Sequence, residues 1–177
     1  MSLVPGSVPK ESPEEALERW MDQYGDAILH ACYICLSDVQ LADDAMQDTL
    51  VKAWRHYRSF ENRFSVSEKA WLMRIAINTC RDYKKGMWLR RVRLRSEMDQ
   101  LPPALIAVTD EERELFLDLL RLPEKLRQVI LLRYDQNMTI REIGQALGLT
   151  ASSVHHRLKK AEEALRLNLE GRDSDEA

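Results

Sequence analysis

Apolar residues recur at helical spacing along almost the entire chain, and the polar signals between them mark where each helix begins and ends. Ser12-Pro13-Glu14-Glu15 is a helix start: a capping serine, proline at the first helical position, and glutamate three residues after the cap. The stripe that follows is Leu17, Trp20, Met21, Tyr24, Ile28, Ala31, Cys32 and Cys35, with a bend or split expected at Gly25. Ser37-Asp38 opens a second helix carrying Ala42, Ala45, Met46, Leu50, Ala53, Trp54 and Tyr57. Residues 59–67 read as a loop. A third helix starts at Ser65 or Ser67, contains Trp71, Leu72, Ile75, Ala76, Thr79 and Tyr83, and continues into a basic run with a kink expected at Gly86. Periodicity then fails, and Pro102-Pro103 forbids a regular helix there. Thr109 and Glu112 form a capping box before the stripe Leu115, Phe116, Leu119, Leu122. No useful alternating pattern appears. The fold class is all-α: two small helical domains, 14–95 and 110–167, joined by a flexible linker over 96–109.

The C-terminal domain has the more specific pattern. Thr139 and Glu142 make a third capping box, and Ile140, Ile143 and Leu147 follow on one face. After the Gly148-Leu149-Thr150 break, Thr150, Ser152 and Ser153 supply an N-cap for a helix whose apolar positions are Val154, Leu158, Ala161 and Leu165. Its other face holds Ser152, Ser153, His155, His156, Arg157, Lys159 and Lys160. This is a helix-turn-helix with a polar, largely cationic second helix, the form that enters a DNA major groove.

Charge is sorted along the chain. The net value is −3, which argues against a free-standing DNA binder. Yet residues 10–53 carry net −7, 54–96 net +9, 97–124 net −6, 125–166 net +4 and 167–177 net −3. Two cationic blocks separated by an acidic one suggest two nucleic-acid contacts on one chain. The acidic blocks oppose adsorption to phosphate, so the chain is expected to bind DNA poorly without a partner. In the first basic block, Arg74, Asn78, Arg81 and Lys85 recur at steps of four, three and four, a row suited to phosphates and bases. Phe60, Phe64 and Trp71 stand in or beside the 59–67 loop, where bases of an opened strand could stack, although Phe64 and Trp71 fit better as core residues.

Other chemistry is sparse. Cys32, Cys35 and Cys80 suit a reducing cytoplasm. His30-x-Cys32-x-x-Cys35 supplies only three ligands, spread around a helix, and small buried thiols are ordinary core residues, so no metal and no cofactor is expected. The start of the chain lacks the basic and apolar segments of a signal peptide, and no run of about 18 apolar residues is present, so no membrane insertion is expected. No catalytic constellation stands out; adjacent Asp43 and Asp44 on a helix cannot converge on one point.

Three motifs, in order, resemble the extracytoplasmic-function (ECF) subfamily of bacterial RNA polymerase sigma factors. Leu41-Ala42-Asp43-Asp44-Ala45-Met46-Gln47-Asp48-Thr49-Leu50-Val51-Lys52-Ala53-Trp54 is similar to the family's acidic helix. The string from Trp71 to Asp82 matches its W-L-x-x-I-A-x-N-x-x-x-D motif, and Leu122-Pro123 onward matches its C-terminal helix-turn-helix. The resemblance implies a non-enzymatic, cytoplasmic promoter-specificity subunit of core RNA polymerase. It implies docking on the polymerase clamp helices through Asp44, Gln47, Asp48 and Trp54, with the C-terminal domain also touching the flap. It implies opening and reading of the −10 element through Arg63, Phe64, Arg74, Asn78, Arg81, Lys84 and Lys85, and −35 reading through the second helix of the helix-turn-helix. Restraint by an anti-sigma factor is part of the same implication. Leu50 stands where the family usually has Phe, and His155-His156 where many relatives have Arg, Lys or Ser. The alternatives are an ordinary DNA-binding regulator, which would bind duplex operator without polymerase, and a sigma mimic that sequesters an anti-sigma factor without touching DNA. The ordered motif trio opposes the first and the cationic helix opposes the second.

Overall fold

The computed structural model describes residues 11–61, 66–90 and 110–175. Helix α1 spans Pro13–Leu36, α2 Val39–Arg55, α3 Tyr57–Glu61 and α4 Glu68–Arg90. In the C-terminal part, α5 spans Asp110–Arg121 and α6 Glu124–Ile130, running directly into a π-helical turn, Leu131–Asp135. Helix α7 is Ile140–Leu147 and α8 Ala151–Asp175. No strand occurs among the described residues.

The caps form as their residue types dictate. Ser12 Oγ accepts from the Glu15 amide at 3.1 Å while Glu15 accepts from the Ser12 amide at 2.7 Å. Asp38 caps α2 through the Leu41 amide at 2.9 Å, directly after Ser37 closes α1 in the left-handed region at φ 56. Thr139 and Glu142 make the reciprocal pair at α7. Two expected interruptions do not occur. Helix α1 passes through Gly25 and α4 through Gly86, a single glycine costing a helix only roughly 1 kcal/mol. The 59–67 loop is shorter than its composition suggests, since α3 extends to Glu61. The linker and the Thr109 cap lie outside the described residues.

Helices α1, α2 and α4 enclose the N-terminal core. Small residues at the contacts, among them Ala16, Ala31, Ala45, Ala53 and Ala76, are almost wholly buried and let the helices approach closely. An aromatic cluster closes one end: Trp20 lies 5.9 Å from Tyr57 and 5.5 Å from Trp71, and Phe60 stacks on Trp71 at 4.6 Å. Arg19 clasps the same end, bonded to Glu11 at 2.8 Å and Glu68 at 2.7 Å. The C-terminal core is built from Val129, Leu131, Leu132, Met138, Ile143, Val154 and Ala161, all essentially inaccessible. Its tight turn depends on two glycines. Gly148 sits at φ +67, and a Cβ on Gly144 would stand 2.7 Å from the Leu149 carbonyl oxygen, whose own amide donates to Gly144 O at 2.9 Å.

The two bundles pack against each other, which the hydrophobic pattern does not foretell. Helix α7 lies between α4 and α8, touching both. Across this seam Lys69 Nζ donates to the Gln136 carbonyl at 2.6 Å, Arg127 Nη1 to the Ile34 carbonyl at 3.0 Å, and the Ser67 amide to Gln145 Oε1 at 3.4 Å. Lys84 pairs with Glu124 at 3.0 Å and His30 with Asp135 at 3.0 Å. Tyr33 and Phe116 stack, 5.8 Å between centroids.

Candidate nucleic-acid and polymerase interfaces

The second helix of the helix-turn-helix, α8, starts with Thr150, whose hydroxyl accepts from the Ser153 amide at 3.2 Å and donates to Ser153 Oγ at 3.0 Å. With Val154, Leu158 and Ala161 fixed in the core, the opposite face must point outward. Ser152, His155, His156, Lys159 and Lys160 are all exposed and share that face. Ser153 and Arg157 are half-buried at its edge, and the Ser153 hydroxyl is already engaged by the cap. The face offers ammonium donors beside imidazoles that can donate or accept, the mixture suited to base edges and phosphates.

On α4, Arg74, Asn78, Arg81 and Lys85 form one exposed row. Arg81 Nη1 donates to Asn78 Oδ1 at 2.9 Å, tying the two into one unit. Lys84 stands apart: it is half-buried and its ammonium faces Glu124 across the seam. Arg63 and Phe64 lie outside the described residues. Trp71 is not an open stacking platform, because it is only 6% exposed and both its neighbours Trp20 and Phe60 are rings of the cluster.

The third surface is on α2. Asp44, Gln47, Asp48, Val51 and Trp54 follow one another at helical spacing, all exposed, while Ala45, Thr49, Leu50 and Ala53 turn inward. Trp54, at 39% exposed, is therefore a surface residue rather than core. Asp48 is held by the Tyr83 hydroxyl, which donates to it at 2.9 Å; burial together with that bond pushes the Tyr83 phenol up to about 12. Asp43, just beside the row, accepts from Gln47 Nε2 at 2.9 Å. Acidic groups flanking an exposed indole suit a basic helical partner.

The three cysteines meet inside the N-terminal core as free, buried thiols. Contact with the Cys80 thiol and burial push Cys35 well up, so both the position and the protonation state suit packing. His30 points elsewhere, to Asp135. Among the described residues no group of three His, Cys, Asp or Glu side chains could hold a metal ion, and no helix is long and apolar enough to cross a membrane.

Residues 20–91 match the family model for sigma-70 region 2, and residues 119–167 match that for sigma-70 region 4. The ECF RNA polymerase sigma factor SigW of Bacillus subtilis is 30% identical, the alignment covering 90% of this chain and 92% of that protein. The chain belongs to the ECF RNA polymerase sigma factors. The RNA polymerase sigma-E factor of Streptomyces avermitilis is likewise 30% identical, over 89% and 87% of the two chains. The fold is shared with the sigma factor RpoE of Bartonella quintana, solved in complex with the anti-sigma factor NepR: TM-score 0.73, 22% identity, 88% of this chain and 98% of that one. CnrH, solved with the cytosolic domain of CnrY, gives a TM-score of 0.66 at 25% identity over 89% and 90%. As a sigma factor, the protein directs promoter-specific transcription initiation by RNA polymerase.

Sequence reasoning missed the seam. One signal was available: Arg127 falls in register with Ile130 and Leu131, a cation in an otherwise apolar stripe. Such a residue needs acceptors, and Arg127 finds three carbonyls, Ile34 at 3.0 Å, Leu120 at 2.7 Å and Leu122 at 3.1 Å.

Proposed function

We propose that the three exposed faces divide the work of a sigma factor, with residues 14–95 acting as the core-binding and −10 domain, 96–109 as a linker and 110–167 as the −35 domain. Asp44, Gln47, Asp48 and Trp54 on α2 dock on the basic clamp helices of polymerase. Arg74, Asn78, Arg81, Lys84 and Lys85 on α4, with Arg63 and Phe64, open and hold the −10 element. The α8 face carrying Ser152, His155, His156, Lys159 and Lys160 reads the −35 element as duplex, with Ser153 and Arg157 at the phosphate edge. The C-terminal domain also meets the polymerase flap. The protein works in the cytoplasm, without catalysis of its own, and an anti-sigma factor restrains it, as RpoE and CnrH are found bound to NepR and CnrY.

The observation that carries this reading is the outward cationic face of α8, opposite Val154, Leu158 and Ala161. Run-off transcription with core polymerase on a genomic promoter library tests it. His155→Ala and Lys159→Ala are each expected to change the −35 preference, by about 1–3 kcal/mol at the contacted base pair. Should both variants transcribe the same promoters at wild-type levels, α8 does not read the element.

A further inference from the structure

The acidic face of α2 is held from two directions. Within the helix, Gln47 Nε2 donates to Asp43 Oδ2 at 2.9 Å, one turn away. From outside it, the Tyr83 hydroxyl on α4 donates to Asp48 Oδ2 at 2.9 Å, across 35 residues of chain. The two helices run antiparallel at this contact. One turn further along α2, Lys52 Nζ donates to the Thr79 hydroxyl at 3.0 Å and lies 3.9 Å from Asp82 Oδ2.

A tyrosine achieves here what a cation would not. Lysine or arginine would fix the Asp48 carboxylate and cancel its charge as well. The phenol fixes it and leaves the charge in place. Burial, the bond to Asp48 and the nearby Asp44 carboxylate push the Tyr83 pKa up to about 12, so the proton stays on the phenol. A carboxylate has about four acceptor positions and this bond takes one, which leaves capacity for a basic partner. The Tyr83 ring is half-buried, whereas Asp48 is exposed. A side chain ordered before its partner arrives spares the interface the entropy of ordering it.

We propose that Tyr83 is a positioning residue for polymerase docking: its hydroxyl sets the Asp48 carboxylate in the orientation that meets the clamp helices. This role rests on the proposed docking of Asp44, Gln47, Asp48 and Trp54. It also gives α4 two duties. Arg81, two residues before Tyr83 and so on the far side of the helix, belongs to the −10 row.

The test measures association and dissociation of the full chain with core polymerase. The forms compared are wild type, Tyr83→Phe, Asp48→Ala, the double variant and Thr79→Val. Phenylalanine keeps the ring and removes only the bond. Tyr83→Phe is expected to bind about three- to tenfold more weakly. The loss should lie in faster dissociation, with the association rate and its salt dependence unchanged, because the charge of Asp48 is retained. Asp48→Ala removes that charge and should also slow association at low salt. Adding Tyr83→Phe to Asp48→Ala should change affinity by less than about twofold, since the two act as one unit. Thr79→Val removes the neighbouring link between the same helices and should bind like wild type.

Tyr83→Phe binding like wild type while Asp48→Ala weakens overturns the positioning role and leaves the docking reading intact. Losses that add in the double variant overturn it too. Slower association of Tyr83→Phe, or an equal loss in Thr79→Val, would show a brace that keeps α2 folded against α4 rather than an oriented carboxylate. If Asp48→Ala itself binds like wild type, the docking role of Asp48 falls, and that of Tyr83 with it.

Discussion

Inside the N-terminal bundle, Trp20, Trp71, Tyr57 and Phe60 meet ring against ring, with Leu72, Met73 and Ile77 buried behind them. Across the seam between the bundles, the polar contacts are a guanidinium on one backbone carbonyl, an ammonium on another and two ion pairs, beside the Tyr33–Phe116 ring pair. The difference is one of exchange. Burial of apolar surface has no substitute in water, so the interior stays shut whenever the chain is folded. A polar contact exchanges its partner for water, or for a phosphate, at a net cost of about 1 kcal/mol each. The interior therefore defines each bundle, while the polar contacts of the seam are the ones that water can replace.

The largest expected effect breaks the interior side of the comparison. Trp20→Ala removes the ring that joins Tyr57 to Trp71, and should destabilise the N-terminal bundle by about 3–5 kcal/mol in equilibrium denaturation. A loss below about 1 kcal/mol would mean that the cluster does not hold this end together. The seam should feel the change only through unfolding of its partner.

Arg127→Met should cost less and act elsewhere. Its guanidinium sits at the C-terminal ends of both α1 and α5, where the helix dipoles favour a cation, while burial pulls its pKa down. The bonds to Leu120 and Leu122 lie within the C-terminal bundle, and only the one to Ile34 crosses the seam. A loss of about 2 kcal/mol is expected, since hydrogen bonds to a charged group contribute about 1.5–3 kcal/mol and methionine restores some packing. Hydrogen exchange gives the sharper readout: amides around the α5–α6 junction should lose protection, and those near the Trp20 cluster should not. Uniform loss across both bundles would contradict the distinction between interior and seam.

What the sequence made legible divides along the same line. Helix starts at Ser12, Asp38 and Thr139 and the turn at Gly148 are local chemistry, decided within about four residues, and all are where the pattern places them. So is the outward face of α8, because Val154, Leu158 and Ala161 have only one way to be buried. The uninterrupted passage of α1 through Gly25 and of α4 through Gly86 was not legible, since a single glycine weakens a helix without deciding whether it breaks. The π-helical turn, Lys69 on the Gln136 carbonyl and Lys84 on Glu124 were not legible either. These are contacts between distant residues, and a surface lysine looks the same in sequence whether it faces solvent, a carbonyl or DNA. Lys84 reads in the sequence like Arg74, Arg81 and Lys85, and only the fold shows its ammonium beside Glu124.

The smallest expected effect concerns His30 and Asp135, and its sign is fixed by the seam. The bond to Asp135 raises the His30 pKa above its usual value near 6.5, against the opposing pull of burial. For Asp135, burial pushes upward, but the His30 bond with further help from Gln136 and Lys69 leaves it below its usual 3.8. The raised histidine contributes fully to the seam below about pH 6.5 and loses that contribution as pH rises through its elevated value. The depressed carboxylate contributes above about pH 3.8 and fails only in stronger acid. The seam should therefore be firmest in the mildly acidic window between them and loosen slightly towards alkaline pH. Both side chains are about a third exposed, at 41% and 32%, so screening limits the pair to about 1 kcal/mol at most. Scattering of the full chain between about pH 5.5 and 8.5 should show a small expansion that raised salt diminishes and that His30→Gln abolishes. Expansion on acidification instead would place the charge that governs the seam somewhere other than this pair.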